Sequence, residues 1–78
     1  MNYVATFYRH AAALLTHRAM TRKGIAAKMA PVPRALSSSC GTCVQYSAPD
    51  PCYALLDRDA EQVAEATETG YRILKTFD

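Results

Sequence analysis

The chain has 78 residues, half of them apolar, and a formal net charge of +2. This length allows one small domain with a modest core, so we predict a single domain over residues 1–78 that a partner or a second copy helps to stabilise. No apolar run approaches the ~20 residues of a membrane span, and the first residues lack the pattern of a secretory signal. We therefore expect a cytoplasmic protein with no membrane partner.

The charges are distributed unevenly along the chain. All seven acidic residues lie at Asp50 or beyond it, whereas six of the nine basic residues precede it. The basic residues are spaced rather than clustered and do not alternate with aromatic residues as RNA-binding segments do. Two halves that pack together would compensate each other's charge. We predict no nucleic-acid partner.

The first half of the sequence predicts a strand, a helix and a second strand. Residues 2–8 are rich in aromatic and β-branched types and apolar on both faces, which is typical of a central strand. Residues 10–23 repeat apolar side chains at helical spacing, with cations near the end and Gly24 as the stop signal. Residues 25–30 alternate like a second strand.

The second half predicts at least two further strands. Residues 42–46 alternate like a third strand, and two prolines follow it. Residues 51–57 suit a short helix capped by Asp50, residues 60–68 suit either an extension of that helix or a strand, and residues 71–77 suit a closing strand. The order predicts an α+β, ferredoxin-like βαββαβ sandwich, an antiparallel sheet with its helices on one face.

The stretch 30–43, between the second and third strands, concentrates the reactive residue types. Pro31 and Pro33 stiffen its start, and three serines lead to Cys40. The glycine after Cys40 permits a bend at which backbone amides face the thiol, and amides with a nearby cation stabilise a thiolate. Cys40 is therefore the predicted nucleophile. The residues predicted to hold its thiolate or an anion are Arg34, Ser37, Ser38, Ser39 and Gly41.

Cys43 completes a C-x-x-C spacing with Cys40. The residues after it predict a strand, whereas a thioredoxin-type site opens a helix. Two interpretations of Cys43 stay open: it resolves a species carried on Cys40, or it is a small buried side chain of the third strand. An odd number of cysteines in an expected cytoplasmic chain argues against a disulfide framework.

The sequence contains two histidines. His17 lies on the apolar face of the predicted helix and is a candidate proton partner for Cys40, although a core histidine satisfied by one hydrogen bond has the same pattern. The ligands of a zinc-stabilised domain would be Cys40, Cys43, Cys52 and either His10 or His17. One unmatched C-x-x-C is weak evidence for zinc, so we predict neither a metal nor a cofactor.

A Pro-x-Pro-Arg segment at residues 31–34, followed by Ser37 and a Cys-Gly pair at residues 40–41, resembles a family of small bacterial proteins proposed to be selenium/sulfur carriers. Further shared residues are Tyr3, Val4, Thr6, Phe7, Ala11, Ala13, Ala19, Gly24 and Ile25. The resemblance covers about the first 46 residues. It departs at His17, where the family usually has an acidic residue, and at Thr42, where it usually has an aliphatic one.

The resemblance implies that Cys40 holds sulfur or selenium as a persulfide or selenosulfide. The chain would then be a small thiol protein of chalcogen metabolism, and its partners would be donor and acceptor proteins. Two other functions stay open beside it. One is a non-enzymatic interaction module with structural cysteines, and the other is the zinc-stabilised domain.

Overall fold

The computed structural model describes residues 1–77. Within them lie five strands and one α-helix, with a single 3₁₀ turn between the third and fourth strands. The bounds are Asn2–Phe7 (β1), His10–Arg22 (α1), Ala26–Pro31 (β2), Thr42–Ser47 (β3), Tyr53–Leu55 (the 3₁₀ turn), Ala60–Thr67 (β4) and Gly70–Thr76 (β5). Among these residues, no helix has the length and apolar composition needed to span a bilayer.

All five strands form one antiparallel sheet in the order β2-β3-β1-β4-β5. β1 is the middle strand: Tyr3 pairs with Tyr46 of β3 on one side and with Glu65 of β4 on the other. Every residue from Tyr3 to Phe7 is buried. The central strand predicted from two apolar faces is therefore confirmed.

The α+β class is confirmed, but the predicted βαββαβ order is wrong in its last third. The described residues contain one α-helix rather than two, and five strands rather than four. Residues 60–67 form β4, and the helix predicted over residues 51–57 is only the 3₁₀ turn. The residues of β4 favour helix by composition, but they form a strand because they pair with β1 and β5. As a strand, they bury Val63 and Ala64 on opposite faces of the sheet, whereas a helix would bury only one side.

α1 covers one face of the sheet. Its apolar spacing turns one stripe of side chains onto the strands, so that Met20 is fully buried. The core on this face is drawn from α1, β1, β3 and β4 and includes Tyr3, Ala5, Phe7, Ala12, Ala13, Met20, Val44, Tyr46 and Val63. Ala27 and Met29, which alternate along β2, pack against the same core.

α1 ends at Arg22, and Gly24 is the stop signal just beyond it, as the sequence predicts. Gly24 has a φ of +78°, a conformation that costs glycine little. Ile25 N–H donates to the carbonyl of Met20, and Gly24 N–H to that of Thr21, both at 3.0 Å. These two bonds satisfy carbonyls that the last helical turn leaves free, and they turn the chain back into β2.

Among residues 1–77, no helix covers the other face of the sheet. The segment 32–41 between β2 and β3, which we name the cysteine loop, folds over part of it. Val32 and Leu36 of this loop pack on a small apolar cluster formed by Val4, Cys43 and Ala64. The rest of this face is an open groove, lined by Val4, Lys28, Gln45, Tyr71 and other residues.

The burial of Met20 predicts a large effect on stability. Met20→Ala leaves a cavity between α1 and the sheet and should lower the free energy of unfolding by about 3 kcal/mol. Leu15→Ala on the same helix is the matched control, because Leu15 is 53% exposed and should change stability by less than about 0.5 kcal/mol. Urea unfolding followed by circular dichroism measures both, and equal losses would contradict this packing.

Candidate functional site

Cys40 lies near the end of the cysteine loop, directly before a turn at Gly41. Gly41 has a φ of +74°, and its carbonyl accepts the N–H of Val32 at 3.1 Å, which joins the two ends of the loop. The chain reverses so sharply that Thr42 N–H lies 3.4 Å from Cys40 Sγ. The Cys40 thiol, which is partly buried, lies 3.4 Å from the Thr42 carbonyl. A backbone amide is thus directed at the sulfur.

Cys43 lies in β3, beneath the cysteine loop. It is fully buried, and its thiol donates to the carbonyl of Pro31 at 3.6 Å. Burial raises the pKa of Cys43, and the ionisable Cys40 thiol nearby adds to the shift. Cys43 is therefore a protonated thiol at neutral pH, a weak nucleophile while the loop is closed.

Cys52 lies past the other end of β3 and does not join the Cys40 site. Its N–H donates to the Asp50 carboxylate at 2.8 Å and its thiol to the Asp50 carbonyl at 3.3 Å. All three cysteines are free thiols. Within residues 1–77, no group of three or more histidine, cysteine, aspartate or glutamate side chains is arranged to hold a metal ion.

Ser39, the residue before Cys40, is bound to β4. Its N–H and its hydroxyl both donate to the Glu61 carboxylate, at 3.3 and 3.0 Å. The same carboxylate accepts the hydroxyl of the buried Thr6 of β1 at 3.1 Å. The donors of Ser39, predicted to hold the Cys40 thiolate or an anion, are therefore occupied by a carboxylate of the protein itself.

The other two serines also contact the sheet. Ser38 Oγ lies 3.4 Å from the Phe7 carbonyl and accepts the N–H of Cys40 at 3.4 Å. The Ser37 carbonyl accepts Gln62 Nε2 at 2.6 Å. These contacts fix the backbone that leads into Cys40.

Arg34 lies at the exposed tip of the cysteine loop. A bond of 3.0 Å from Leu36 N–H to the Pro33 carbonyl closes the turn around it. Among the residues that the structure describes, the Arg34 side chain forms neither an ion pair nor a hydrogen bond. Its guanidinium is directed to solvent rather than engaged with the loop.

The two histidines lie in different surroundings. His17 Nε2 lies 3.2 Å from the Ala27 carbonyl, where α1 packs on β2. His10, at the start of α1, places Nδ1 3.4 Å from Thr42 Oγ1, next to the residue whose amide faces Cys40. His10 is thus linked to the cysteine turn through Thr42, whereas the contact of His17 is with β2.

Glu61 and Gln62 also belong to this site, and the sequence did not predict them. They lie in the segment whose helix-forming composition concealed a strand, so no local pattern linked them to the serines. The approach of His10 to Thr42 depends on the pairing of β1 with β3, which spacing along the chain does not reveal.

The fold and the site together define a class: a small α+β protein that presents one thiol on a serine-rich loop covering part of one face of an antiparallel sheet. A family model described as "Putative Se/S carrier protein-like" matches residues 2–57. The chain belongs to this family, and the resemblance seen in the sequence is confirmed. Comparisons with curated proteins and with solved structures found no match.

The burial of Cys43 predicts an order of thiol reactivity. At pH 7, iodoacetamide should modify native Cys43 at least about 100-fold more slowly than unfolded Cys43, because the native thiol is both covered and protonated. Peptide mass spectrometry over a time course gives the rate for each cysteine. In guanidinium chloride all three cysteines should react at similar rates. Native Cys43 reacting as fast as Cys40 would contradict a closed loop.

Two buried groups predict a loss of stability at alkaline pH. Burial raises the pKa of Tyr46, whose hydroxyl donates to the Pro51 carbonyl, and also that of Cys43. Each group binds its proton more tightly when folded, so its stabilisation is complete below the unfolded pKa, about 8.5 for Cys and 10 for Tyr, and is lost above it. The urea midpoint should therefore fall between about pH 8 and pH 11. Cys43→Ala should flatten the first part of this fall, and a constant midpoint would contradict it.

Proposed function

We propose that this protein carries sulfur or selenium on Cys40, as a persulfide or a selenosulfide. The observation that carries the proposal is the Thr42 amide 3.4 Å from Cys40 Sγ, at a turn that lies within the family match. An amide donor stabilises negative charge on sulfur, and the thiolate is the form of cysteine that attacks another sulfur. Cys40 is only partly buried, which is compatible with access of a donor to the thiol.

The loading step follows from thiol chemistry. The Cys40 thiolate attacks the terminal sulfur of a donor persulfide, R–S–SH. The new bond joins Cys40 Sγ to that sulfur, the donor S–S bond breaks, and the donor leaves as the thiolate R–S⁻. A donor of the form R–S–SeH gives the selenosulfide in the same way. Delivery is the same exchange onto an acceptor thiolate, so the cycle needs no cofactor or external oxidant.

The surrounding residues take separate roles in this proposal. The Ser38 hydroxyl, which accepts the N–H of Cys40, holds the backbone in the conformation that directs the Thr42 amide at the sulfur. The solvent-directed guanidinium of Arg34 is available to an anionic group on a donor or acceptor protein. The expected cytoplasmic location supplies a reducing environment, in which a free Cys40 persists.

A docking module with structural cysteines is the second candidate. It is favoured by the uncovered half of the sheet face, where Tyr71 and Ile73 of β5 are 37% and 46% exposed. Under this function the partner would bind equally well after Cys40→Ser. Under the carrier function the same substitution removes the carried atom.

The carrier function predicts a specific change in mass. Incubation with a small persulfide or selenosulfide donor should add one sulfur or selenium atom to the protein, and a reductant should remove it. Intact-mass spectrometry measures the adduct, which should be absent in Cys40→Ser.

Cys52→Ser is the matched control. Cys52 is partly buried like Cys40 but lies outside the loop, so this variant should load like the parent. An unmodified parent under every donor, or equal loading of Cys40→Ser, would refute the carrier function.

A further inference from the structure

β4 contains a β-bulge at Glu61. Along the ladder between β1 and β4, Thr6 pairs with Gln62 and Phe7 pairs with Ala60, so Glu61 has no partner on β1. In a regular strand, two consecutive side chains lie on opposite faces. The extra residue of a bulge re-aims a side chain, and here both Glu61 and Gln62 reach the cysteine loop.

The bulge brings a charged acceptor to the residue that precedes Cys40. The Glu61 carboxylate takes both donors of Ser39 and is itself held by Thr6, which is fully buried. Hydrogen bonds to an ionised acceptor are stronger than neutral ones. Apolar packing of Val32 and Leu36 holds the first part of the loop, whereas Glu61 holds the part next to Cys40.

The closed loop buries Cys43, whose thiol could react with a species carried on Cys40. Cys43 lies three residues from Cys40 and is fully buried, with its thiol donating to the Pro31 carbonyl. If Cys40 carried a persulfide, a Cys43 thiolate could attack Cys40 Sγ. The Sγ–Sγ bond would form, the outer S–S bond would break, and hydrosulfide would leave, while the proton of Cys43 passes to water. The carried sulfur would then be lost.

We propose that Glu61 is a positioning residue that holds the cysteine loop closed over Cys43 and so preserves the sulfur carried on Cys40. This inference rests on the proposed carrier function. Under this inference, attack by Cys43 on the loaded Cys40 is the side reaction that the fold suppresses. The bulge in β4 then has a function, because it places Glu61 against the cysteine loop.

The test compares the lifetimes of loaded proteins. The parent, Glu61→Ala, Glu61→Gln and Glu68→Ala are loaded with cysteine persulfide and freed of donor, and intact mass and released hydrosulfide are then followed. Glu68 lies in the exposed turn after β4, so its variant should match the parent. Glu61→Ala should lose the persulfide about tenfold faster and form a Cys40–Cys43 disulfide, because losing charged hydrogen bonds raises the open population of the loop by about that factor.

Two further variants distinguish positioning from general destabilisation. Glu61→Gln keeps an oxygen acceptor without the charge and should show an intermediate lifetime. Adding Cys43→Ser to Glu61→Ala should restore the parent lifetime, which a merely unstable fold would not do. If Glu61→Ala does not fold, Ser39→Ala is tested instead, because it removes from the loop the hydroxyl that donates to Glu61. An unchanged lifetime in Glu61→Ala or Ser39→Ala would overturn the inference.

A second measurement does not depend on loading. Alkylation of Cys43 at pH 7 should be about tenfold faster in Glu61→Ala than in the parent or in Glu68→Ala, since the loop opens more often. If the parent never accepts sulfur, the carrier function fails, while this rate still tests the loop contact. No increase in Cys43 alkylation would overturn the role of Glu61 whatever the outcome of loading.

Discussion

The structure depends on the need of β1 to be covered on both faces. Residues Tyr3 to Phe7 are all buried, and the strand lies in the middle of the sheet, so neither face can be left to water. α1 supplies one cover. The other is the cysteine loop, which packs on Val4 and Cys43. The loop is therefore both part of the core and the site of the reactive thiol, and its conformation is constrained by packing as well as by its own sequence.

Much of the fold could be predicted because its signals are local. Aromatic and β-branched residues identified β1, a helical apolar stripe identified α1, and Gly24 marked the end of the helix. The last third could not be predicted in the same way. The residues of β4 favour helix by intrinsic propensity, and their strand conformation results from pairing with β1 and β5, partners that a local pattern does not reveal.

The candidate site also could be predicted where its signals are local, and not where it depends on contacts between distant strands. The sequence predicted a turn at Gly41, and one of its two interpretations of Cys43 was a buried side chain in the third strand. The structure contains the turn, and Cys43 is buried in β3. The sequence also predicted that Ser39 helps to hold the Cys40 thiolate or an anion, and in the structure the N–H and hydroxyl of Ser39 donate to the carboxylate of Glu61. That contact requires an extra residue in one strand of a ladder, and the extra residue is defined only by the register of the two strands. Composition and periodicity carry no information on such a feature.

The central position of β1 also bears on the kinetics of folding. Tyr3 must find Tyr46 and Glu65, so the middle of the sheet is built entirely from contacts distant in the sequence. The chain loses conformational entropy when it closes these long segments, and strand pairing compensates for that loss only afterwards, so folding is slow. β4 and β5 are consecutive in the chain and pair as a hairpin. This local pairing is therefore expected to form early, before β1 pairs with β4. Until β1 pairs with β4, Val63 and Ala64 lack their partners on β1, and this unpaired edge of β4 can associate wrongly with another chain.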